Sequence, residues 1–320
     1  MWRDVARQQA GVLTRAQAVA AGLSQDAIRA NVRAGRWRRI YRGIYATFTG
    51  PLPRRSQLWA AALKAGDGAL LSHETAAELV GLTDEPGRTV HVTVPADRSD
   101  VRIPGVVVHR SRRAAVKGHP TRTPPQTRVE ETVLDLAQSA RHLNDALGWI
   151  TRAIGARLTT SDRLLASLRG RQKMRWRRPL HAAITDAGDG CHSLLELLYL
   201  RKVERAHGLP RGDRQVRRDR ARRYDDVKYK KYRTRVELDG QDGHPDHARW
   251  RDRRRDNDAT VDGDRNLRYG LGDVDEYPCA VAAEVTEVLH QEGWTGHPRP
   301  CGQPGCVFKL RGDLHGPGPT

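Results

Sequence analysis

A chain of 320 residues is longer than one ordinary domain, and at about 100 to 200 residues per domain two or three are expected. With 56 Lys+Arg against 38 Asp+Glu, a net charge of +18, a pI near 10.5 and 38% hydrophobic residues, the composition describes a folded, strongly basic protein. A field of that sign attracts nucleic acid or an anionic membrane surface. The membrane is set aside, because no stretch approaches the roughly 18 apolar residues of a spanning helix and no basic helix carries a bulky apolar face. Arg3, Asp4 and Arg7 interrupt the start of the chain, so no secretory signal is read and the cytoplasm is the expected compartment. Four cysteines, Cys191, Cys279, Cys301 and Cys306, are too few and too scattered for a disulfide framework and are read as reduced thiols.

From Thr14 to Gly22 the chain predicts a short helix, with Thr14 and Gln17 as a capping box and Gly22 as a left-handed stop. Ser24 is a good N-cap for a second helix over residues 25–34, with Ile28 and Val32 on its buried side and Gly35 as its end. Two short helices joined by a tight turn are a helix-turn-helix signature, and the strand-like pair 37–40 and 43–48 follows as a wing. Residues 1–42 hold nine Arg and no Lys against the acids Asp4 and Asp26. Gln25, Arg29, Asn31 and Arg33 are expected on the solvent side of the second helix, facing base edges, and Arg36, Arg38, Arg39 and Arg42 at the wing, facing phosphates. With Gly11-Val12-Leu13-Thr14, the helical pair and Gly43-Ile44-Tyr45, residues 5–48 resemble the N-terminal domain of the AbiEi-type antitoxins of type IV toxin-antitoxin systems. That resemblance implies an autoregulatory, DNA-binding winged helix and a cognate toxin as partner.

Residues 56–81 predict helices, the second starting at Ser72. Valine-rich strands follow at 90–94 and 106–109, then a loop at 120–126 and a helix opening over 128–137. The strand Val-His-Val-Thr-Val-Pro and the helix Thr-Val-Leu-Asp-Leu-Ala also resemble the AbiEi-like region. His73, His91 and His109 are read as structural or surface histidines. The run 169–178, with six basic residues and no acid, reads as a linker or a phosphate-contacting strap.

Near Ser193 the texture changes to a helix, Ser193-Leu194-Leu195-Glu196-Leu197-Leu198, in which Glu196 stands among apolar residues. A hairpin is expected from 224–229 and 234–240, with Glu237 and Asp239 on one face of the returning strand and Val236 and Leu238 on the other. An acid on one strand and an acid-x-acid on its neighbour can converge on a divalent cation, since carboxylate oxygens are the ligands Mg²⁺ prefers. His244, a helix over 245–261, a strand at 266–269 and a closing helix at 279–289 complete a small α/β domain.

The pattern Ser193-x-x-Glu196, Tyr224-Asp225-Asp226-Val227, Val236-Glu237-Leu238-Asp239-Gly240, His244-Pro245 and the run from Asp252 to Asn257 resembles the DUF559-type domain. That family is related to the very-short-patch-repair endonucleases of the PD-(D/E)XK superfamily, and the resemblance covers about residues 191–294. It implies Asp226 and Glu237 as ligands of Mg²⁺ or Mn²⁺, with Asp239 and Glu196 completing the catalytic cluster. It also implies His244 as general base or phosphate contact, and Asp252 and Arg255 as supporting residues. Asp239 occupies the position where the superfamily has Lys, with Lys228, Lys230 or His244 as substitutes.

The expected architecture is thus an α+β multidomain protein: a winged helix-turn-helix (1–50), an AbiEi-like α/β middle region (51–170), a basic linker (171–190), a PD-(D/E)XK-like mixed α/β sheet domain of DUF559 type (191–295) and a flexible tail (296–320). In the tail, Cys301 and Cys306 with nearby His297 supply only three of the four ligands a zinc site needs, so this Gly/Pro-rich segment is read as a flexible tail and not as a zinc site. Two readings of function stand side by side. One is a metal-dependent endonuclease that nicks or hydrolyses DNA phosphodiesters; the other is a non-catalytic transcriptional regulator or antitoxin.

Overall fold

The computed structural model describes residues 1–98, 102–217, 224–239 and 263–312. It divides into two compact units, Met1–Arg177 and Arg178–Thr320.

The first unit opens with α1 (Trp2–Gln8), β1 (Val12–Thr14), α2 (Arg15–Ala20) and α3 (Gln25–Arg33). Thr14 Oγ1 accepts from the Gln17 amide and the Gln17 side chain accepts from the Thr14 amide, both at 2.9 Å, so α2 starts with a reciprocal box. The Ser24 hydroxyl accepts from the Ala27 amide at 3.1 Å and starts α3. Gly22 at φ +91° makes the left-handed step that separates the two helices. Strands β2 (Arg38–Tyr41) and β3 (Ile44–Ala46) form an antiparallel hairpin, and β1 adds to β3 to give the order β1-β3-β2. Trp37 is the buried anchor, its ring 5.2 Å from Trp2 in a T-shaped contact, among Ala6, Leu13, Ala18 and Ile28.

The unit continues through α4 (Arg54–Ala65), β4 (Leu70–Leu71), α5 (His73–Leu79), β5 (Val90–Pro95), β6 (Val106–Ser111), α6 (Ala114–Lys117), α7 (Val129–Ser139), α8 (Leu143–Gly155) and α9 (Ser161–Arg169). β5 runs antiparallel to β4 and parallel to β6, and Val90, Val92 and Val94 pack with Leu58, Ala61 and Leu71. Helix α7 buries Glu130, Glu131 and Asp135 with its apolar residues, and buried carboxylates require cations. Lys117 Nζ reaches Asp135 at 2.7 Å, Arg171 reaches Asp135 at 2.9 Å and also pairs with Glu131, and Arg113 reaches Glu131 at 3.1 Å. Arg171, expected to open a basic linker, is therefore a buried partner of α7, and Arg175 Nη1 donates to the Ala140 carbonyl at 3.0 Å.

The rest of the expected linker is helix α10 (Arg177–Gly188), whose Leu180, Ala183, Ile184 and Ala187 are buried at helical spacing. In the second unit α11 (Leu194–Leu198) runs on into a π-helical turn, Tyr199–Arg205. Then come β7 (Asp213–Arg217), β8 (Tyr224–Tyr229), β9 (Thr234–Asp239), β10 (Arg265–Gly270), α12 (Leu271–Glu276), α13 (Pro278–Gln291) and α14 (Val307–Gly312). The mixed sheet has the order β10-β9-β8-β7, with β9 antiparallel to β8 and parallel to β10. β7, a strand absent from the sequence-based expectation, is joined to the helix by a buried pair: Arg214 Nη2 donates to Glu204 Oε2 at 2.6 Å, and Tyr229 donates to Glu204 Oε1 at 2.7 Å. Tyr199, Val203, Val227, Val236, Val281, Val285 and Leu289 form the core. Cys306 and Phe308 belong to the same core, so the segment expected as a loose tail from residue 296 is docked at least to Phe308, because its apolar residues find a place against α13 and the His207 ring. The expected helix over 245–261, with His244, Asp252 and Arg255, lies outside the described residues.

Candidate functional site

In the second unit three carboxylates bear electrostatically on a fourth, Asp226, the four coming from three elements. Glu196 comes from the first turn of α11, Asp226 from β8, and Glu237 and Asp239 from β9. The register that pairs Val227 with Val236 turns both valines to the core, and the strand period then sets Glu237 and Asp239 on the opposite face of β9. Asp226 Oδ2 accepts from the Leu238 amide at 2.8 Å, which fixes its carboxylate against β9. Glu196 is buried for a local reason as well: Ser193 Oγ accepts from the Glu196 amide at 3.1 Å, and Glu196 Oε2 accepts from the His192 amide at 3.1 Å.

Burial, first, and then the negative charges of Glu196, Glu237 and Asp239 raise the Asp226 carboxyl to about 6, against the one backbone donor that lowers it. Among the described residues, one cation near these carboxylates is a residue that the sequence pattern did not single out. Arg268 of β10 lies in register with Glu237, its Nη2 3.2 Å from Glu237 Oε2 and its Nε 3.4 Å from Asp239 Oδ2. Lys228 and Lys230, the lysines considered as substitutes, are paired elsewhere, Lys228 with Asp264 and Lys230 with Asp213, each at 3.0 Å. Arg235, buried next to Lys228 on the adjacent strand, also reaches Asp264, at 2.6 Å. A signal for Arg268 existed only in the parallel pairing of β9 with β10, which no local pattern announces.

In the first unit Gln25, Arg29 and Arg33 are exposed on α3, and Arg36, Arg38, Arg39 and Arg42 are exposed at the hairpin. Arg29 pairs with Asp26 at 3.2 Å across one exposed turn, a contact of small energy that a phosphate can displace. Asn31 departs from its expected outward role. Its Nδ2 donates to the Ala27 carbonyl at 2.9 Å and its Oδ1 accepts from Arg36 Nε at 2.8 Å, so it braces Arg36 against α3.

His73, His91 and His109, expected as separate structural or surface residues, form one cluster. The His73 and His109 rings stack at 3.6 Å, His91 Nδ1 lies 3.0 Å from His109 Nε2, and His91 Nε2 lies 3.3 Å from Glu74. Burial, followed by the neighbouring His109, drives His73 down to about 3, and burial also lowers His109. His73 is accordingly neutral near pH 7.

Among the described residues, no helix is long and apolar enough to cross a membrane. No curated protein matches the chain. Of the solved structures, the crystal structure of the RV2827C protein from Mycobacterium tuberculosis is similar with a TM-score of 0.39 and 20% identity, covering 58% of this chain and 75% of that one. Residues 3–47 match the family described as transcriptional regulator, AbiEi antitoxin. The stretch from α1 to β3 is therefore similar to AbiEi-type antitoxin regulators, and the match ends before α4.

Proposed function

We propose that the protein is a DNA-binding, metal-dependent endonuclease of PD-(D/E)XK type, in which a basic winged helix-turn-helix supplies DNA affinity and the second unit cuts or nicks phosphodiesters. The observation that carries this reading is Asp226, fixed against β9 by the Leu238 amide and raised to about 6 by burial and by the charges of Glu196, Glu237 and Asp239. Such a surplus of negative charge on hard oxygen ligands suits Mg²⁺ or Mn²⁺, and Asp226 with Glu237 would hold the ion. A cation bound there would activate water and neutralise charge developing on the phosphate. The Leu238 amide orients the Asp226 carboxylate. Arg268 balances Glu237 and Asp239 and stands in for the lysine that Asp239 replaces, at a point where it can meet a phosphate oxygen. Exposed Gln25, Arg29 and Arg33 would face bases, and Arg36, Arg38, Arg39 and Arg42 phosphates.

The test is a nicking assay on supercoiled and mismatched DNA with Mg²⁺ or Mn²⁺. Wild type is expected to cut, and Asp226→Ala and Glu237→Ala to lose about 10²-fold or more of the rate. Wild type as inert as both variants in either metal would remove the nuclease and leave the second reading. That reading, favoured by the match over residues 3–47, is a regulator or antitoxin with a cognate toxin as its partner.

A further inference from the structure

At the far end of α11 from Glu196, three segments distant in sequence bring together four side chains that no part of the carboxylate chemistry uses. His207 follows the π-helical turn, Cys279 lies in the first turn of α13, and Cys301 and Cys306 flank a turn before α14. One ligand atom from each falls within 4.8 Å of all the others. We propose that His207, Cys279, Cys301 and Cys306 form a tetrahedral Cys₃His zinc site that fastens the segment 294–309 to the second unit.

Four observations carry it. The donor set is three thiols and one imidazole, the combination of a closed structural zinc site. Donors about 2.0 to 2.3 Å from a common centre stand roughly 3.5 to 3.8 Å apart in a tetrahedron, and Cys279 Sγ lies 3.6 Å from Cys301 Sγ. Their separation is a ligand edge, and all four cysteines of the chain are free thiols.

The histidine is prepared for a ligand. His207 is fully buried, its Nδ1 lies 3.0 Å from the Val203 carbonyl, and its Nε2 is buried with no hydrogen-bond partner. A backbone carbonyl that accepts a hydrogen bond from Nδ1–H fixes the tautomer with a bare Nε2 lone pair, the usual arrangement behind a metal-bound histidine. Leaving that nitrogen unmet in a dry interior carries a cost that a metal bond would offset.

The backbone is shaped to the same end. Gly302 at φ +86° and the Cys306 amide donating to the Gln303 carbonyl at 3.2 Å fold the Cys-x₄-Cys loop back on itself. The Arg299 amide donates to the His207 carbonyl at 2.8 Å and pins the incoming chain beside the histidine. Trp294 packs at the surrounding core, and Phe308 lies 5.3 Å from the His207 ring, so the site has an apolar wall. The histidine that joins the pair of tail cysteines is thus His207, from a hundred residues upstream in rough terms, where His297 had been the neighbour in sequence.

The experiment uses the full chain purified without chelator. Elemental analysis is expected to find about one zinc per chain. After exchange, Co²⁺ should give the visible bands of a tetrahedral ion together with thiolate-to-cobalt charge transfer. Cys306→Ser and His207→Ala should lose the metal or bind it at least 10-fold more weakly, while Cys191→Ser, a buried thiol outside the cluster, retains it. Should the ligand variants fail to fold, zinc content and the cobalt spectrum of the wild type still decide the matter. Wild type that is folded yet free of zinc and without cobalt charge transfer, that carries iron instead, or that yields a Cys279–Cys301 disulfide in non-reducing peptide maps overturns the site. None of these outcomes bears on whether the carboxylate cluster cuts DNA.

Discussion

Asp226 and His73 tie stability to pH with opposite signs. The Asp226 carboxyl sits at about 6 against an ordinary 3.8, so its protonated form is favoured in the fold. Its contribution is full below pH 3.8 and is lost as the pH rises through about 6, a change of about 3 kcal/mol. Asp226→Asn is therefore expected to raise urea-unfolding stability at pH 7.5 by up to about 3 kcal/mol and to change little at pH 4. Mg²⁺ should raise the midpoint of the wild type and leave that of the variant where it was, and equal shifts in both would speak against metal binding at Asp226. His73, at about 3 against an ordinary 6.5, is favoured neutral: its contribution is complete above 6.5 and is lost as the pH falls from there toward 3. His73→Asn, which tolerates the residue's φ of +50°, should flatten the acid side of the melting profile. The placement of Glu237 and Asp239 on the face of β9 opposite Val236 was legible in the sequence because strand alternation acts locally. Arg268 was not, since its place depends on which strand lies beside β9.

At the scale of elements, the helices and strands with strong caps or alternating valines were legible, and those held by buried charge were not. β7 reads Asp-Arg-Gln-Val-Arg, with one apolar residue, and becomes a strand because Arg214 finds Glu204 in the interior. Arg214→Ala would strand that carboxylate and is expected to cost about 3 to 5 kcal/mol by chemical denaturation, whereas a loss below 1 kcal/mol would show the pair to be dispensable. Gly212 supplies a second test of the same junction. A Cβ there would stand 2.4 Å from Val227 Cγ1, so Gly212→Ala should lower the melting temperature by pushing β8 away from the helix. The stretch 169–178 was misleading for a related reason: its charge density suggests a solvated strap, yet Arg171 answers Glu131 and Asp135 of α7, forty residues earlier in rough terms.

For the whole molecule, charge and a division into parts were legible from composition, while the place of the division was not. The two units part at residue 177, inside what reads as one basic run, because burial rather than charge marks the boundary. The net charge of +18 predicts salt-sensitive DNA binding. Each phosphate contact adds about 0.9 to the slope of log affinity against log salt, so replacing Arg38, Arg39 and Arg42 together with Ala should lower it by about 3. Fluorescence anisotropy on a duplex would read this, and an unchanged slope would move the DNA contacts away from the hairpin. The parallel pairing of β9 with β10 has a consequence during synthesis. Asp226, Glu237 and Asp239 all leave the ribosome before Arg268, which the chain can supply only after residues 240–264 have been made and β10 has found its register. A slip of one residue in that late pairing would turn Arg268 to the other face, so Arg268 beside Glu237 is a mark of a β10 that has paired in its correct register.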